Sequence, residues 1–124
     1  MDIIVMNTSE IPIYKQIEEQ IKAQIIQGGL NSGDLMPSIR NLAKELQISV
    51  ITVKKAYDNL EEQQFLTTVG GKGTFVAPQD QQFLREKKLN IIENKISEAI
   101  TEAKMLGLSF EEITEICRII YNEK

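Results

Sequence analysis

Apolar residues recur at helical spacing in the first quarter of the chain. They lie three or four residues apart between positions 14 and 25, which predicts an amphipathic helix over residues 12–27. Pro12 is tolerated at a helix start, and Gly28 and Gly29 provide a stop. The stripe consists of Tyr14, Ile17, Ile21 and Ile25. Residues 1–10 carry no such pattern, so we expect a short arm or strand there.

Two shorter helical patterns follow, joined by the Gln47-Ile48 turn. Ser38 and Ser49 stand where each helix begins and can cap its free amides. Helices joined by so short a turn must cross steeply, so the second projects its polar face outward. The predicted buried faces are Leu42, Ala43 and Leu46 in the first helix and Val53, Ala56, Tyr57 and Leu60 in the second. Thr52, Lys54, Lys55 and Asp58 are left facing outward.

Two β-branched and aromatic segments come next, at residues 65–69 and 74–76. Gly70-Gly71-Lys72-Gly73 joins them, and glycine accepts the positive φ of a tight turn. An ordinary structural hairpin has the same pattern. Because two crossed helices precede it, we interpret the hairpin as a wing that holds Lys72 where it can approach DNA.

Beyond Pro78 the pattern changes to two amphipathic helices. The first is predicted over residues 79–106, and Gly107 ends it; Ser109 and Glu112 then form a capping-box pattern for the second. Some 45 residues are too few for a separate core. These helices must pack on the winged domain or on another subunit, and we favour a second copy. The predicted dimer interface is Phe83, Leu84, Ile92, Ile96, Ala99, Ile100, Ala103, Phe110, Ile113, Ile116 and Ile120.

The predicted fold is therefore mainly α with a small β-hairpin. Residues 1–78 form a winged helix-turn-helix domain for binding DNA, and residues 79–124 form a two-helix dimerisation tail that is also the place for any effector. The 124 residues are 42% hydrophobic, enough for one packed core. No apolar run reaches the length of a membrane span, and no secretory signal is evident.

Composition narrows the possible chemistry. The chain has no histidine and one cysteine, Cys117, so a metal site and most acid–base catalysis are not expected. We expect no cofactor and no enzymatic activity. Cys117 lies among isoleucines at helical spacing, which predicts a packing role, and a lone cysteine fits a reducing cytoplasm.

Charge is distributed unevenly. A net charge of −4 argues against a general nucleic-acid binder. Between residues 38 and 57, however, four basic residues stand against one acidic residue: Arg40, Lys44, Lys54 and Lys55 against Glu45. Charge alone favours a solvated helix face, but the helix-turn-helix pattern around these residues favours a local basic surface for DNA.

Three sequence blocks resemble the GntR family of bacterial transcription regulators. They are residues 33–43 (GDLMPSIRNLA), residues 52–57 (TVKKAY) and residues 71–76 (GKGTFV). They are similar to the family's first motif, recognition helix and wing, in that order. The short two-helix tail resembles the YtrA-type subfamily, in which such helices form the dimer.

The resemblance implies a set of DNA contacts. Ser38 and Arg40 would contact phosphate or a base edge. The start of the recognition helix would enter the major groove, and the wing would enter the minor groove. Lys55 and Lys72 would contact phosphates. The implied positions are Ser38, Arg40, Ser49, Val50, Ile51, Thr52, Lys54, Lys55, Gly70, Gly71, Lys72 and Gly73. Val50, Ile39 and Gln64 depart from the family pattern. Where the family often has arginine at position 50, Val50 or Ile51 is suited to a thymine methyl.

The implied function is sequence-specific DNA binding by a homodimer at an inverted-repeat operator. We expect a repressor, because a bound protein blocks polymerase by occupancy alone. The alternative is a winged-helix protein-interaction module that has lost DNA binding. The operator, the regulated genes and any small-molecule effector are not identified by the sequence.

Overall fold

Five helices and one two-stranded antiparallel sheet follow one another in the computed structural model, which describes all of residues 1–124. The mainly α fold with a small hairpin is confirmed. The chain divides into two compact units, Met1–Leu84 and Arg85–Lys124. The elements are α1 (Ile13–Gln27), α2 (Ile39–Leu46), α3 (Val50–Glu62), β1 (Leu66–Val69), β2 (Gly73–Val76), α4 (Gln81–Met105) and α5 (Phe110–Glu123).

The core of the first unit lies where α1 and α2 pack on α3. The apolar stripes predicted from helical spacing meet there: Ile17, Ile21 and Ile25 of α1, Leu42 and Ala43 of α2, and Val53, Ala56, Tyr57 and Leu60 of α3 are all buried. Each large aliphatic side chain buried in this way contributes about 1.5–3 kcal/mol to folding. The face of α3 opposite to this core therefore stays in solvent.

Serine caps set the starts of α2 and α3, as predicted. The Ser38 hydroxyl accepts a 3.1 Å hydrogen bond from the Asn41 amide, and the Ser49 hydroxyl accepts one of 3.1 Å from the Thr52 amide. Between the helices Gln47 adopts a left-handed conformation, φ 57°, which ends α2 and turns the chain.

The hairpin is fastened to the loop before α2. Its register pairs Leu66 with Val76 and Val69 with Gly73. The outer side of β2 is also bonded: the Met36 amide donates to the Thr74 carbonyl at 2.8 Å, and the Val76 amide donates to the Asp34 carbonyl at 2.8 Å. β2 is thus bonded along both of its edges, to β1 on one side and to the loop before α2 on the other.

Glutamine side chains hold the N-terminal segment, residues 1–6, in an extended conformation along α1. The Gln20 amide oxygen accepts from the Ile4 backbone N–H at 2.9 Å, while its nitrogen donates to the Ile4 carbonyl. One helical turn to either side, Gln16 bonds to both the amide and the carbonyl of Met6, and the Gln24 side-chain nitrogen donates to the Asp2 carbonyl. The glutamine side-chain amides bond to this segment as a neighbouring strand would. Held in this way, the segment packs its Ile3 and Val5 side chains on the core. The expected arm is thus an ordered part of the first unit.

In the second unit, α5 begins with the predicted capping box. The Ser109 hydroxyl accepts from the Glu112 amide at 3.1 Å, and the Glu112 carboxylate accepts from the Ser109 amide at 3.0 Å. No residue of α4 or α5 is buried within the chain. Cys117 is exposed, so the packing expected for it is not found within one chain.

Candidate nucleic-acid interface

The start of α2 presents one free cation. Arg40 is exposed on the first turn of the helix, and its guanidinium forms no ion pair or side-chain hydrogen bond. Ser38, which caps the helix, is exposed beside it. A guanidinium and the positive end of a helix together favour an anion such as a DNA phosphate. These two predicted contact residues therefore lie together and are available.

The segment that precedes this helix is fixed to α3. The Tyr57 hydroxyl donates a 2.8 Å hydrogen bond to the Pro37 carbonyl, and the Tyr57 ring lies in the core. Burial raises the pKa of Tyr57, which keeps the hydroxyl protonated as a donor. Sequence reasoning assigned Tyr57 to the core only. A tyrosine on a buried face needs a partner for its hydroxyl, and that requirement was the available signal.

The first turn of α3 combines apolar and hydroxyl side chains. Ile51 is exposed and Val50 half-exposed. The hydroxyls of Ser49 and Thr52 lie 2.7 Å apart and share a hydrogen bond. The four predicted contact residues at this helix start are thus adjacent; Ser49, Val50 and Ile51 are exposed, and Thr52 is partly buried.

The two lysines of α3 are held by neighbours. The Lys54 ammonium lies 2.7 Å from the Asp58 carboxylate one turn along the helix, and the hydrogen bond and charge of Asp58 raise the pKa of Lys54. The Lys55 ammonium lies 4.1 Å from the centre of the Tyr14 ring, a cation–π contact with α1. Asp58 was expected to face outward, but its ion pair with Lys54 was not predicted. The four-residue spacing between Lys54 and Asp58 on one helix was the available signal.

The tip of the hairpin is a three-residue turn, residues 70–72. Gly71 at φ 77° and Gly73 at φ 120° occupy conformations that side-chain-bearing residues rarely adopt. The Lys72 amide donates to the Val69 carbonyl at 2.9 Å and closes the turn. All four predicted wing residues are exposed, and Lys72 forms no ion pair. The turn therefore presents one free cation on a slender loop.

Comparison with known proteins identifies the family of the chain. Residues 13–76 match the family model of bacterial regulatory proteins, gntR family, which covers half of the chain. The chain belongs to the GntR family. It is 34% identical over 107 residues to the HTH-type transcriptional repressor YtrA of Bacillus subtilis, covering 86% of this chain and 82% of that protein. The resemblance to the family and to YtrA is thus confirmed.

Solved structures agree with this assignment. A transcriptional regulator from Oenococcus oeni superposes with a TM-score of 0.74 at 31% identity, over 94% of this chain and 97% of that one. The DNA-binding domain of AraR, solved in complex with its operator ORX1, superposes with a TM-score of 0.55 at 30% identity, over 62% of this chain and 99% of that domain. This GntR protein is thus a DNA-binding transcription regulator with a winged-helix fold.

Apolar side chains of the tail remain in solvent. Of the predicted dimer residues, Phe83 and Leu84 lie at the end of the first unit and the others in the second. Leu84, Ala103 and Ile113 are partly covered, and the remaining eight are exposed. Exposed isoleucines repeated along α4 and α5 are unusual for a monomer. None of the five helices combines the length and apolar character needed to cross a membrane.

Proposed function

We propose that this GntR-family protein is a cytoplasmic repressor that binds an inverted-repeat operator as a homodimer. Arg40 and Ser38 would meet phosphate or a base edge. The start of α3 would enter the major groove, and residues 70–73 of the hairpin would enter the minor groove. In this proposal Lys54 contacts a base edge in the major groove, and Lys55 and Lys72 contact phosphates. The protein uses no cofactor or catalytic step.

One observation carries the proposal. Residues 36–38 are bonded on one side to α3, through Pro37 and Tyr57, and on the other to the hairpin, through Met36 and Thr74. The three elements expected to touch DNA therefore hold one mutual arrangement before any DNA is present. Such preorganisation lowers the entropic cost of binding, and it supports recognition by a surface formed in advance.

The tail supports the homodimer. Ile92, Ile96 and Ile100 recur four residues apart on α4 and are exposed in a single chain. A second copy provides an equivalent apolar surface, and two-fold pairing is the commonest oligomer symmetry. Two recognition helices would then face half-sites whose centres lie about 34 Å apart or a multiple of it. Any effector would bind at this tail interface.

A salt titration of DNA binding tests the proposal. The probe is a palindromic duplex selected from random-sequence DNA by the wild-type protein, and binding is followed by fluorescence anisotropy. Affinity should fall steeply with salt concentration, because bound lysines and arginines release counterions. Arg40→Ala should weaken binding about tenfold and lower the salt slope by about one per lost phosphate contact.

A charge-matched variant controls for the loss of one cation. Lys124→Ala, at the end of the tail, should leave both the affinity and the salt slope unchanged. Failure to select any sequence, or equal affinity for selected and scrambled duplexes, would favour the protein-interaction module over the repressor. Unchanged binding by Arg40→Ala would remove Arg40 from the interface.

A further inference from the structure

An isoleucine in solvent marks the start of the recognition helix. Ile51 is 79% exposed, the most exposed large apolar side chain of the first unit, and its neighbour Val50 is 46% exposed. Every core-facing position of α3 is filled by other residues, so packing does not require a branched apolar group at position 51. The role of the Ile51 side chain therefore lies in contact with another molecule.

The polar groups around Ile51 are already engaged. Ser49 accepts from the Thr52 amide, and the two hydroxyls bond to each other at 2.7 Å. Lys54, one turn on, is bonded to Asp58. The first turn of α3 therefore offers an incoming base pair mainly methyl groups, and few free donors or acceptors.

A base-pair edge presents one apolar group in the major groove, the 5-methyl of thymine. We propose that Ile51, assisted by Val50, reads this methyl, so that each half-site of the operator carries a thymine opposite the start of α3. The inference rests on the proposed function, since it requires α3 to enter the major groove. It assigns to the start of α3 a contact with a methyl group, whereas an arginine at the neighbouring position 50 would bond to a guanine.

Removing single thymine methyl groups from the DNA provides the test. In the selected palindromic duplex, each thymine is replaced in turn, symmetrically in both half-sites, by deoxyuridine, which lacks only the methyl. Wild-type protein should show one position at which the replacement weakens binding about fourfold per half-site, because burying a group of this size contributes about 0.8 kcal/mol. At that same position, 5-methylcytosine should bind more tightly than cytosine.

Variants connect the methyl to the side chain. With Ile51→Ala, the penalty for deoxyuridine at that position should shrink to nearly onefold, while Ile11→Ala, another exposed isoleucine of the first unit, should keep the full penalty. Because Ile51 lies in solvent, Ile51→Ala should unfold at the wild-type temperature by circular dichroism. This separates lost recognition from lost folding.

The outcomes distinguish the two proposals. If selected DNA binds tightly but deoxyuridine is tolerated at every position, or if the penalty persists in Ile51→Ala, the methyl contact is wrong and the repressor function stands. If no DNA sequence is preferred at all, both proposals are wrong.

Discussion

The Tyr57 hydroxyl donates a 2.8 Å hydrogen bond to the Pro37 carbonyl, across twenty residues of chain. It joins α3, the proposed recognition helix, to the residue that precedes the cap of α2. On the other side of Pro37, the Met36 amide bonds to Thr74 of the hairpin at 2.8 Å. Met36 and Pro37 thus bond the wing and α3 to one segment of the chain. In this way a small domain with a two-stranded sheet keeps the two elements in a fixed relative position.

Removing the Tyr57 hydroxyl should loosen this junction. Tyr57→Phe keeps the buried ring and deletes one hydrogen bond, so the free energy of unfolding should fall by about 0.5–1.5 kcal/mol. Urea denaturation followed by circular dichroism measures this change. Tyr14→Phe is the matched control, because no hydrogen bond of the Tyr14 hydroxyl is present and its ring contact with Lys55 remains. Equal stability of Tyr57→Phe and wild type would contradict the importance of this bond.

Alkaline pH should destabilise the protein through the same tyrosine. Burial raises the pKa of Tyr57 above its ordinary value of 10.0. Above pH 10 the unfolded chain therefore releases the phenolic proton while the folded chain retains it, so the free energy of unfolding falls as pH rises. Denaturation series between pH 8 and pH 11 should show a shallower decline for Tyr57→Phe than for wild type. Identical pH profiles would show that Tyr57 does not contribute.

Local patterns in the sequence predicted the fold well, for physical reasons. The buried faces of α1, α2 and α3 follow from residue spacing, and they were predicted correctly apart from Tyr14 and Leu46, which are only partly buried. The caps at Ser38, Ser49 and Ser109 follow from short-range chemistry and were also predicted correctly. The bond from Tyr57 to Pro37 and the contact of Lys55 with Tyr14 depend on where distant segments meet. Neither is encoded in a local spacing, and neither was predicted.

The tail illustrates a different limit. Spacing predicted both helices and their apolar residues, but Cys117, Ile116 and Ile120 are exposed in a single chain. An amphipathic stripe indicates that a face will be covered and does not identify what covers it. The predicted dimer contacts and the predicted DNA contacts therefore stay predictions for binding experiments.

Asp58 should restrain non-specific DNA binding. Its carboxylate lies 2.7 Å from the Lys54 ammonium, and both side chains are largely exposed. DNA must compete with Asp58 for Lys54, and the carboxylate also repels phosphates. Asp58→Asn should therefore tighten binding to a scrambled duplex about three- to tenfold at low salt, with a smaller effect at high salt because of screening.

Glu62→Gln, also on α3, is the charge-matched control for Asp58→Asn. It changes the net charge equally and leaves the Lys54–Asp58 pair intact, so its effect on binding to the scrambled duplex should be smaller. If the two variants tighten binding equally, overall charge explains the result and the pairing of Asp58 with Lys54 does not.

A charge placed in the exposed stripe of α4 should dissociate the proposed dimer. Ile96→Glu would bury a carboxylate between two copies without a partner, which is strongly unfavourable. Sedimentation equilibrium should give a monomer for Ile96→Glu and a dimer for wild type. Glu98→Ala, at a polar position of the same helix, should remain dimeric. A dimeric Ile96→Glu would place the interface elsewhere on the chain.

The glutamine contacts of the N-terminal segment should slow local opening there. The Gln20 side chain binds both the amide and the carbonyl of Ile4, at 2.9 and 2.6 Å, and it acts in place of a paired strand. Gln20→Ala removes both bonds, so hydrogen exchange of the Ile4 amide should accelerate by about tenfold or more, since each lost bond lowers the opening free energy by about 1 kcal/mol. Gln63→Ala, a variant at a glutamine whose side chain makes no such contact, should leave exchange at Ile4 unchanged.

Because Ile3 and Val5 add to the core only while the segment is held, Gln20→Ala should also lower the global free energy of unfolding slightly. Unaltered exchange at Ile4 would mean that apolar packing alone keeps the segment in place.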